Sequence, residues 1–404
     1  MAIDWRQTTW GEEISLEYGK SLRDYKDVKG QFRVYGTNGP VGWTTDPLAP
    51  GPGVILGRKG AYRGVEYSKE PFFVIDTAYY VKPKTDLNMR WLYYAIKHYK
   101  LGEIDDGSPI PSTTRSAVYV RALQVPSSEI QRAIAHILGS LDDKIELNRQ
   151  MNRTLEKMAQ AIFKSWFIEF DPVHAKAEGR ETGLPKKIAD LFPDSFEDSE
   201  LGEIPKGWTT GKLADLTDNP KRSQKPGDVS PRTPYIGLKH LPRKSIALDS
   251  WGFADEVDSQ KSYFHKGEIL FGKLRPYFHK TGIAPTDGVC STDILVLCPK
   301  EAQWKSYVLF LVSTKAFVDF TDSHSAGTKM PRTNWKDMSK YPITLPPQDL
   351  MEVFENTCSK YTERIVENII ESRTLSQTRD TLLPKLISGE LTIPDAKKLL
   401  EGVG

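Results

Sequence analysis

Apolar residues return every three or four positions along two long stretches of the chain. The first runs from roughly Ser127 to Phe170 and carries Ile130, Ile134, Ile137, Leu141, Met151, Leu155, Met158 and Ile162. The second runs from roughly Gln348 to Ser388 and carries Leu350, Phe354, Tyr361, Ile365, Leu375, Leu382 and Leu386. This period predicts two amphipathic helices, and Pro126 followed by Ser127 marks the start of the first. Forty residues of helix span about 60 Å. A helix so long with so narrow an apolar stripe needs a partner stripe, and equal lengths predict an antiparallel coiled coil between the two. The second helix has the less regular seam, and register sets its Glu371 and Thr378 against Met151 and Met158. Asn148 and Asn368 hold equivalent positions. At the seam they would fix the pairing register at some cost in stability; on the outer face they would simply be solvated, and the pattern allows both.

The stretches leading into the helices repeat. Gly107-Ser-Pro-Ile-Pro111-Ser-Thr113 is echoed by Gly327-Thr-Lys-Met-Pro331-Arg-Thr333, and the same offset matches Pro126 to Pro346, Leu155 to Leu375 and Ile162 to Leu382. A constant offset over this distance implies two copies of one unit, each a domain followed by a long helix. Short apolar runs read as strands: Val54–Leu56, Phe72–Ile75 and Tyr79–Val81 in the first copy, Glu268–Phe271 and Asp293–Leu297 in the second. A fainter likeness joins Ile55–Tyr62 to Ile269–Tyr277 and Asp76-Thr77 to Ser291-Thr292. Helical stretches follow at Met89–Tyr99 and Trp304–Phe320, so both domains are expected to be α+β. The predicted organisation is a first domain over 1–126, a first helix over 127–170, an acidic connection over 171–200, a second domain over 201–346, and a second helix with a C-terminal tail over 347–404.

Charge adds to this picture through its distribution. The whole chain of 404 residues carries only +2. Residues 220–280 hold twelve Lys/Arg and six Asp/Glu, whereas 171–203 hold four and nine, and 348–390 five and eight. Residues 1–126 are also more basic than acidic. Basic heads on an acidic frame are the footprint of a polyanion binder. There is no apolar run of the length a membrane span requires, and the opening MAIDWRQTTW lacks the features of a secretory signal. Three cysteines without a CxxC argue against a disulfide framework or a cysteine zinc site and fit a reducing cytoplasm.

Catalytic motifs find no foothold. Gly267–Lys273 matches GxxxxGK, but Leu274 stands where a Ser or Thr would hold magnesium, and the interior reads as strand. Gly51-Pro-Gly53 with Gly57 misses the dinucleotide spacing by one residue. HExxH, GxSxG, a Glu-x-Lys pair and the Asp/Asn-Pro-Pro-aromatic motif of amino-group DNA methyltransferases are all absent.

Leu141-Asp-Asp-Lys-Ile-Glu-Leu-Asn148, Phe163-Lys-Ser-Trp-Phe167, Phe170-Asp-Pro172, Leu201-Gly-Glu-Ile-Pro-Lys-Gly-Trp208 and Thr381-Leu-Leu-Pro-Lys-Leu-Ile-Ser-Gly-Glu390 together give the chain its resemblance. It resembles, over nearly its whole length, the specificity subunit of type I restriction–modification systems. The resemblance implies two similar target-recognition domains joined by antiparallel coiled-coil helices, an internal duplication with pseudo-two-fold character. Each domain would read one half of a split double-stranded DNA site, and the helices would set the unread spacer. It implies docking to two modification (methyltransferase) subunits and then to restriction (motor–nuclease) subunits in the cytoplasm. This chain would be non-catalytic and bind no cofactor; S-adenosylmethionine, ATP and magnesium would belong to the partners. Half-sites one helical turn apart are about 34–36 Å apart, within the reach of the predicted helices. A scaffold that binds only proteins, or an enzyme with an unfamiliar site, are the rival readings.

Candidate DNA contacts in the first domain are Lys20, Arg23, Thr37, Asn38, Arg58, Lys59, Tyr62 and Arg63. In the second they are Lys221, Arg222, Lys239, Lys273, Arg275, Tyr277, His279, Lys280, Lys329 and Arg332. Arginine pairs with guanine O6/N7 and asparagine with adenine N6/N7, and lysine neutralises phosphate. The plain alternative for each is a solvated basic residue, and for Tyr62 and Tyr277 a place in the core. Trp166 and its neighbours Ser165 and Phe167, with Leu382, Leu383, Leu386 and Ile387, read either as a partner surface or as packing against a domain.

Overall fold

The computed structural model describes residues 5–26, 28–104, 107, 110–256, 259–327 and 329–401. Three residues of the sequence repeat, Ser108, Pro109 and Thr328, lie outside this set. The chain forms two compact units. One comprises the residues through Lys144 with those from Leu375 onward, and the other Ile145–Thr374. The division crosses both long helices, Ser128–Phe167 and Gln348–Ile387. Each unit therefore holds one α+β domain and one end of each helix.

In the first unit an antiparallel sheet is ordered Ile14–Tyr18, Ala78–Pro83, Gly53–Gly57, Val65–Ser68. A second sheet pairs Gly39–Thr44, Phe32–Gly36 and Phe72–Val74. Strand Gly53–Gly57 is buried throughout because it sits between two cores. Val54 and Leu56 join Trp91, Leu92 and Ala95 of helix Met89–His98, while Ile55 faces Tyr35, Phe72 and Val74. The second unit repeats the device. Ile269 and Phe271 join one core and Leu270 another, with Ile236, Phe264 and Val296. A strand with both faces covered reads as a continuous apolar run rather than an alternation.

The domain openings are duplicated as well. Helical turn Trp10–Glu13 is held by Trp10 N donating to Arg121 O at 3.0 Å, and turn Leu213–Leu216 by Leu213 N donating to Tyr341 O at 2.9 Å. Thr9 and Glu12 close the first as a capping box. Glu13, 1 % exposed, accepts from both guanidinium nitrogens of Arg6 at 2.6 and 3.0 Å and from Thr8 and Thr85. These donors hold its carboxyl at about 2, well below the usual carboxylate range, with the Arg6 hydrogen bonds the largest cause.

The helix ends run antiparallel in each unit. In the first, Leu138 and Leu141 share a core with Leu382, Leu386 and Ile387, and Arg379 pairs with Asp142 at 2.6 Å. Tyr94 also donates to Asp142, and Arg90 forks onto Asp143 while reaching Gly139 O. A Cβ at Gly139 would lie 2.6 Å from Arg90 Nε, so glycine makes room for that guanidinium. In the second unit Phe163, Trp166 and Phe167 pack with Phe354, Tyr307 and Phe192. Trp166 is 5 % exposed and Leu382 4 %, so packing, not an exposed partner surface, is their role within each unit.

Asn148 and Asn368 are both fully buried. Asn148 Nδ2 donates to Glu371 at 2.7 Å and to Ser372 at 3.2 Å, and Asn368 Nδ2 donates to Asn152 Oδ1 at 2.8 Å. Glu371 therefore lies against Asn148, not Met151. Residues related by the repeat differ by a constant number, whereas partners across an antiparallel pair have numbers with a nearly constant sum, so equivalence along the chain does not give opposition. Asn148 Oδ1 and Asn368 Oδ1 are buried without a partner among the described residues. Nearby Glu156, 5 % exposed, accepts from Ser245 Oγ and Ile246 N, and burial raises its pKa. The segment expected as an acidic connection is folded: helix Asp171–Ala177 buries Val173, Phe192 joins the aromatic core, and Phe196–Ser199 pairs with Gly202–Pro205.

Two outcomes follow from this chemistry. The Glu13 carboxylate stabilises the fold above its unfolded pKa, and that contribution is lost as pH falls from about 4.5 toward 2. Glu13→Gln is expected to destabilise the first domain at neutral pH by about 2–3 kcal/mol and to flatten the acid limb of its denaturation curve, read by circular dichroism. Asn152→Leu and Asn368→Leu should each destabilise by about 1–3 kcal/mol because each strands its partner. The double substitution should cost less than their sum in a chemical-denaturation cycle.

Candidate nucleic-acid interface

In each domain the buried central strand ends in a loop held by backbone hydrogen bonds. In the first, Arg58 N donates to Thr77 O at 3.0 Å, Thr113 N to Arg58 O at 2.9 Å, and Gly60 N to Pro111 O at 3.0 Å. In the second, Lys273 N donates to Asp293 O at 2.9 Å, Thr333 N to Lys273 O at 3.0 Å, and Arg275 N to Pro331 O at 2.8 Å. Bridges Lys59–Ser112 and Leu274–Arg332 complete the match. Arg58 thus corresponds to Lys273, Gly60 to Arg275, Tyr62 to Tyr277, and Thr77 to Asp293, one residue beyond the Thr292 that sequence likeness alone selects. Gly57 is required by close approach, since a Cβ there would lie 2.2 Å from Thr37 O.

Gly60 has φ +112° and Arg275 φ +52°. A residue with a Cβ pays about 1 kcal/mol in the left-handed region. Arg275 therefore occupies a position where glycine would be easier.

The candidates divide by whether their polar groups are already engaged. Arg63 is spent on three carbonyls, those of Gly60, Gly102 and Ile104, at 2.7–2.8 Å. Thr37 Oγ1 donates to Lys59 O at 2.6 Å. Arg222 pairs with Glu268 at 2.8 Å, Arg332 with Asp293 at 3.2 Å, and the His279 ring with Ser313 O at 2.8 Å. Lys280 donates to Leu238 O, and burial lowers its pKa. By contrast, Lys20, Arg23, Asn38, Lys59, Lys221, Lys239 and Lys329 are exposed. None of these seven has an ion pair among the described residues. Tyr62 and Tyr277 are 79 % and 49 % exposed and so are not core residues.

Arg58 is half-buried. Its guanidinium lies over Tyr18 at 5.1 Å and Tyr79 at 5.9 Å, and its Nε is buried without an acceptor among the described residues. Arg115 lies over the other part of this cluster, 4.2 Å from the Tyr18 ring and 3.9 Å from Glu17. Burial and the neighbouring Tyr18 push the Tyr79 phenol up to about 12. Lys221 and Lys273 of the second domain line one cleft of about 610 Å3, with Trp335 and Lys336. Tyr18, Arg115, Trp335 and Lys336 escape sequence reading. The one available signal was the repeat itself, which sets Trp335 at the offset of Arg115.

Among the described residues no cluster of His, Cys, Asp or Glu could hold a metal ion, and no helix is long and apolar enough to cross a membrane.

Comparison with known proteins agrees with this duplicated architecture. The family model described as type I restriction modification DNA specificity domain matches residues 22–157 and again 205–366. The chain is 25 % identical over 402 residues to the type I restriction enzyme MjaIX specificity subunit of Methanocaldococcus jannaschii, covering 96 % of this chain and 88 % of that one. It is also 25 % identical over 413 residues to the EcoDI specificity subunit of Escherichia coli, covering 97 % and 90 %. The crystal structure of a type I restriction–modification S subunit from M. genitalium shares the fold with a TM-score of 0.60 at 16 % identity, covering 95 % and 96 %. Two family domains, together spanning most of the chain and each seated on one of the duplicated units, place this protein in the type I restriction–modification DNA specificity family.

Proposed function

We propose that each globular domain reads one half of a split double-stranded DNA site and that the helix pair sets the distance between the halves. The observation that carries this reading is the shared loop frame: the same backbone hydrogen bonds hold Arg58 and Gly60 in one domain and Lys273 and Arg275 in the other, two residues before Tyr62 and Tyr277. One frame with different side chains is what unequal half-sites require. Free basic side chains around both loops supply phosphate neutralisation and base contacts.

The chain acts without catalysis of its own. Methylation falls to two modification subunits using S-adenosylmethionine, and cleavage to restriction subunits using ATP and magnesium. These partners dock on the helix-bearing frame in the cytoplasm. With a net charge of +2, the chain alone binds duplex weakly, and the partners add phosphate contacts.

Co-expression with the modification subunit, followed by mapping of methylated bases in genomic DNA, tests the reading. A split motif that requires this chain is expected; a complex without a motif would favour the protein scaffold. Replacing residues 1–126 with another such domain should change one half of the motif only. Arg275→Gly separates recognition from folding. It relieves the positive-φ strain and should leave thermal stability equal or slightly higher, while relaxing the half-site read by the second domain by about tenfold, within the range of a lost base contact.

A further inference from the structure

Four pairs of equivalent positions converge on one place in each domain. The backbone frame equates Arg58 with Lys273. Strand pairing of Ile14 with Pro83, and of Thr217 with Pro299, equates the residues four further on, Tyr18 and Lys221. The partner strands equate Tyr79 with Leu295, since Leu56 pairs with Tyr79 as Phe271 pairs with Leu295. Arg115 and Trp335 each open a short capped helix, after Thr114 and Asn334.

The two sets are built differently. In the first domain they form a filled stack, with Tyr18 5.1 Å from Tyr79, Arg58 over both, and Arg115 4.2 Å over Tyr18. In the second, Lys221, Lys273, Leu295 and Trp335 all line a single open cleft of about 610 Å3. Lys261 and Lys336 line it too, and among the described residues no carboxylate does. Lys261 is tied to Ser259, but Lys221, Lys273 and Lys336 have no ion pair among the described residues.

We infer that this shared position reads bases in the first domain and grips a backbone phosphate in the second. The inference rests on the proposed DNA-reading function. A guanidinium held flat on an aromatic ring keeps its plane and the fork of donors along its edge, and it loses little freedom on pairing with guanine O6/N7. Arg58 has no protein hydrogen-bond acceptor among the described residues, so that edge is available. Tyr18 is a positioning residue: it sets the plane in which Arg58 points. Lysine ammoniums have no plane to match to a base edge. Several of them around one open cleft suit the diffuse charge of a phosphate.

The test uses the full chain in complex with its modification subunit. Arg58→Lys and Tyr18→Leu should relax one base position in one half of the methylation motif by about ten- to a hundredfold and leave the other half intact. Tyr18→Phe keeps the ring and should retain the motif. Lys221→Ala and Lys273→Ala should leave the motif unchanged. They should weaken cognate and non-cognate duplexes by the same factor and lower the salt-dependence slope by about one per lysine. An unchanged motif with Arg58→Lys, or a motif relaxed by Lys273→Ala, would overturn the inference while leaving the domain a DNA reader. Absence of any motif with the parent chain would instead remove the function on which it rests.

Discussion

The loops that end the two central strands share one frame of backbone hydrogen bonds. Arg58 and Lys273 each give their N–H to one strand and take a hydrogen bond from a threonine N–H on the other side, Thr113 or Thr333. Peptide groups carry the same donor and acceptor whatever the side chain. These backbone bonds do not depend on which side chains the loop carries, so Arg58 and Gly60 in one domain and Lys273 and Arg275 in the other fit the same frame. Side chains are restricted at two places by the same geometry: Gly57, where there is no room for a Cβ, and Gly60, where φ is positive.

The helix pair solves a different problem. Its ends are secured by apolar clusters, Leu138 and Leu141 against Leu382 and Leu386 in one unit, Phe163 and Phe167 against Phe354 in the other. Residues 148–156 are instead polar where they are buried, with Asn148 set against Glu371 and Ser372 and Asn152 against Asn368. Amide pairs tolerate only one alignment, because a one-residue slip leaves donors and acceptors stranded in a dry seam.

Much of this was legible in the sequence because it is periodic or repeated. The two helices stood out by their spacing, and the duplication by its constant offset. The central strands were visible because burial on both faces makes Val54–Leu56 and Ile269–Phe271 continuously apolar. The start of each domain was not read as repeated, since insertions between Tyr18 and Arg58 equivalents shift the offset while hydrogen bonds preserve the equivalence. Occupancy of the site was illegible for a related reason. Arg63 is satisfied by carbonyls of Gly102 and Ile104, and Arg222 by Glu268, roughly 40 positions distant in each case. Nothing local distinguishes them from Arg58. The folding of residues 171–203 was missed because its core contribution comes from isolated residues such as Val173 and Phe192 rather than from a periodic stripe.

Arg275 has an evolutionary consequence. At the corresponding place the first domain carries Gly60, where any residue with a Cβ would be strained, whereas the second domain accommodates such a residue. On the proposed reading, a change of Arg275 to glycine relieves backbone strain while removing a side chain offered to DNA. On that reading the second domain can lose a specificity without losing its structure, which would make this loop a point of departure for new targets.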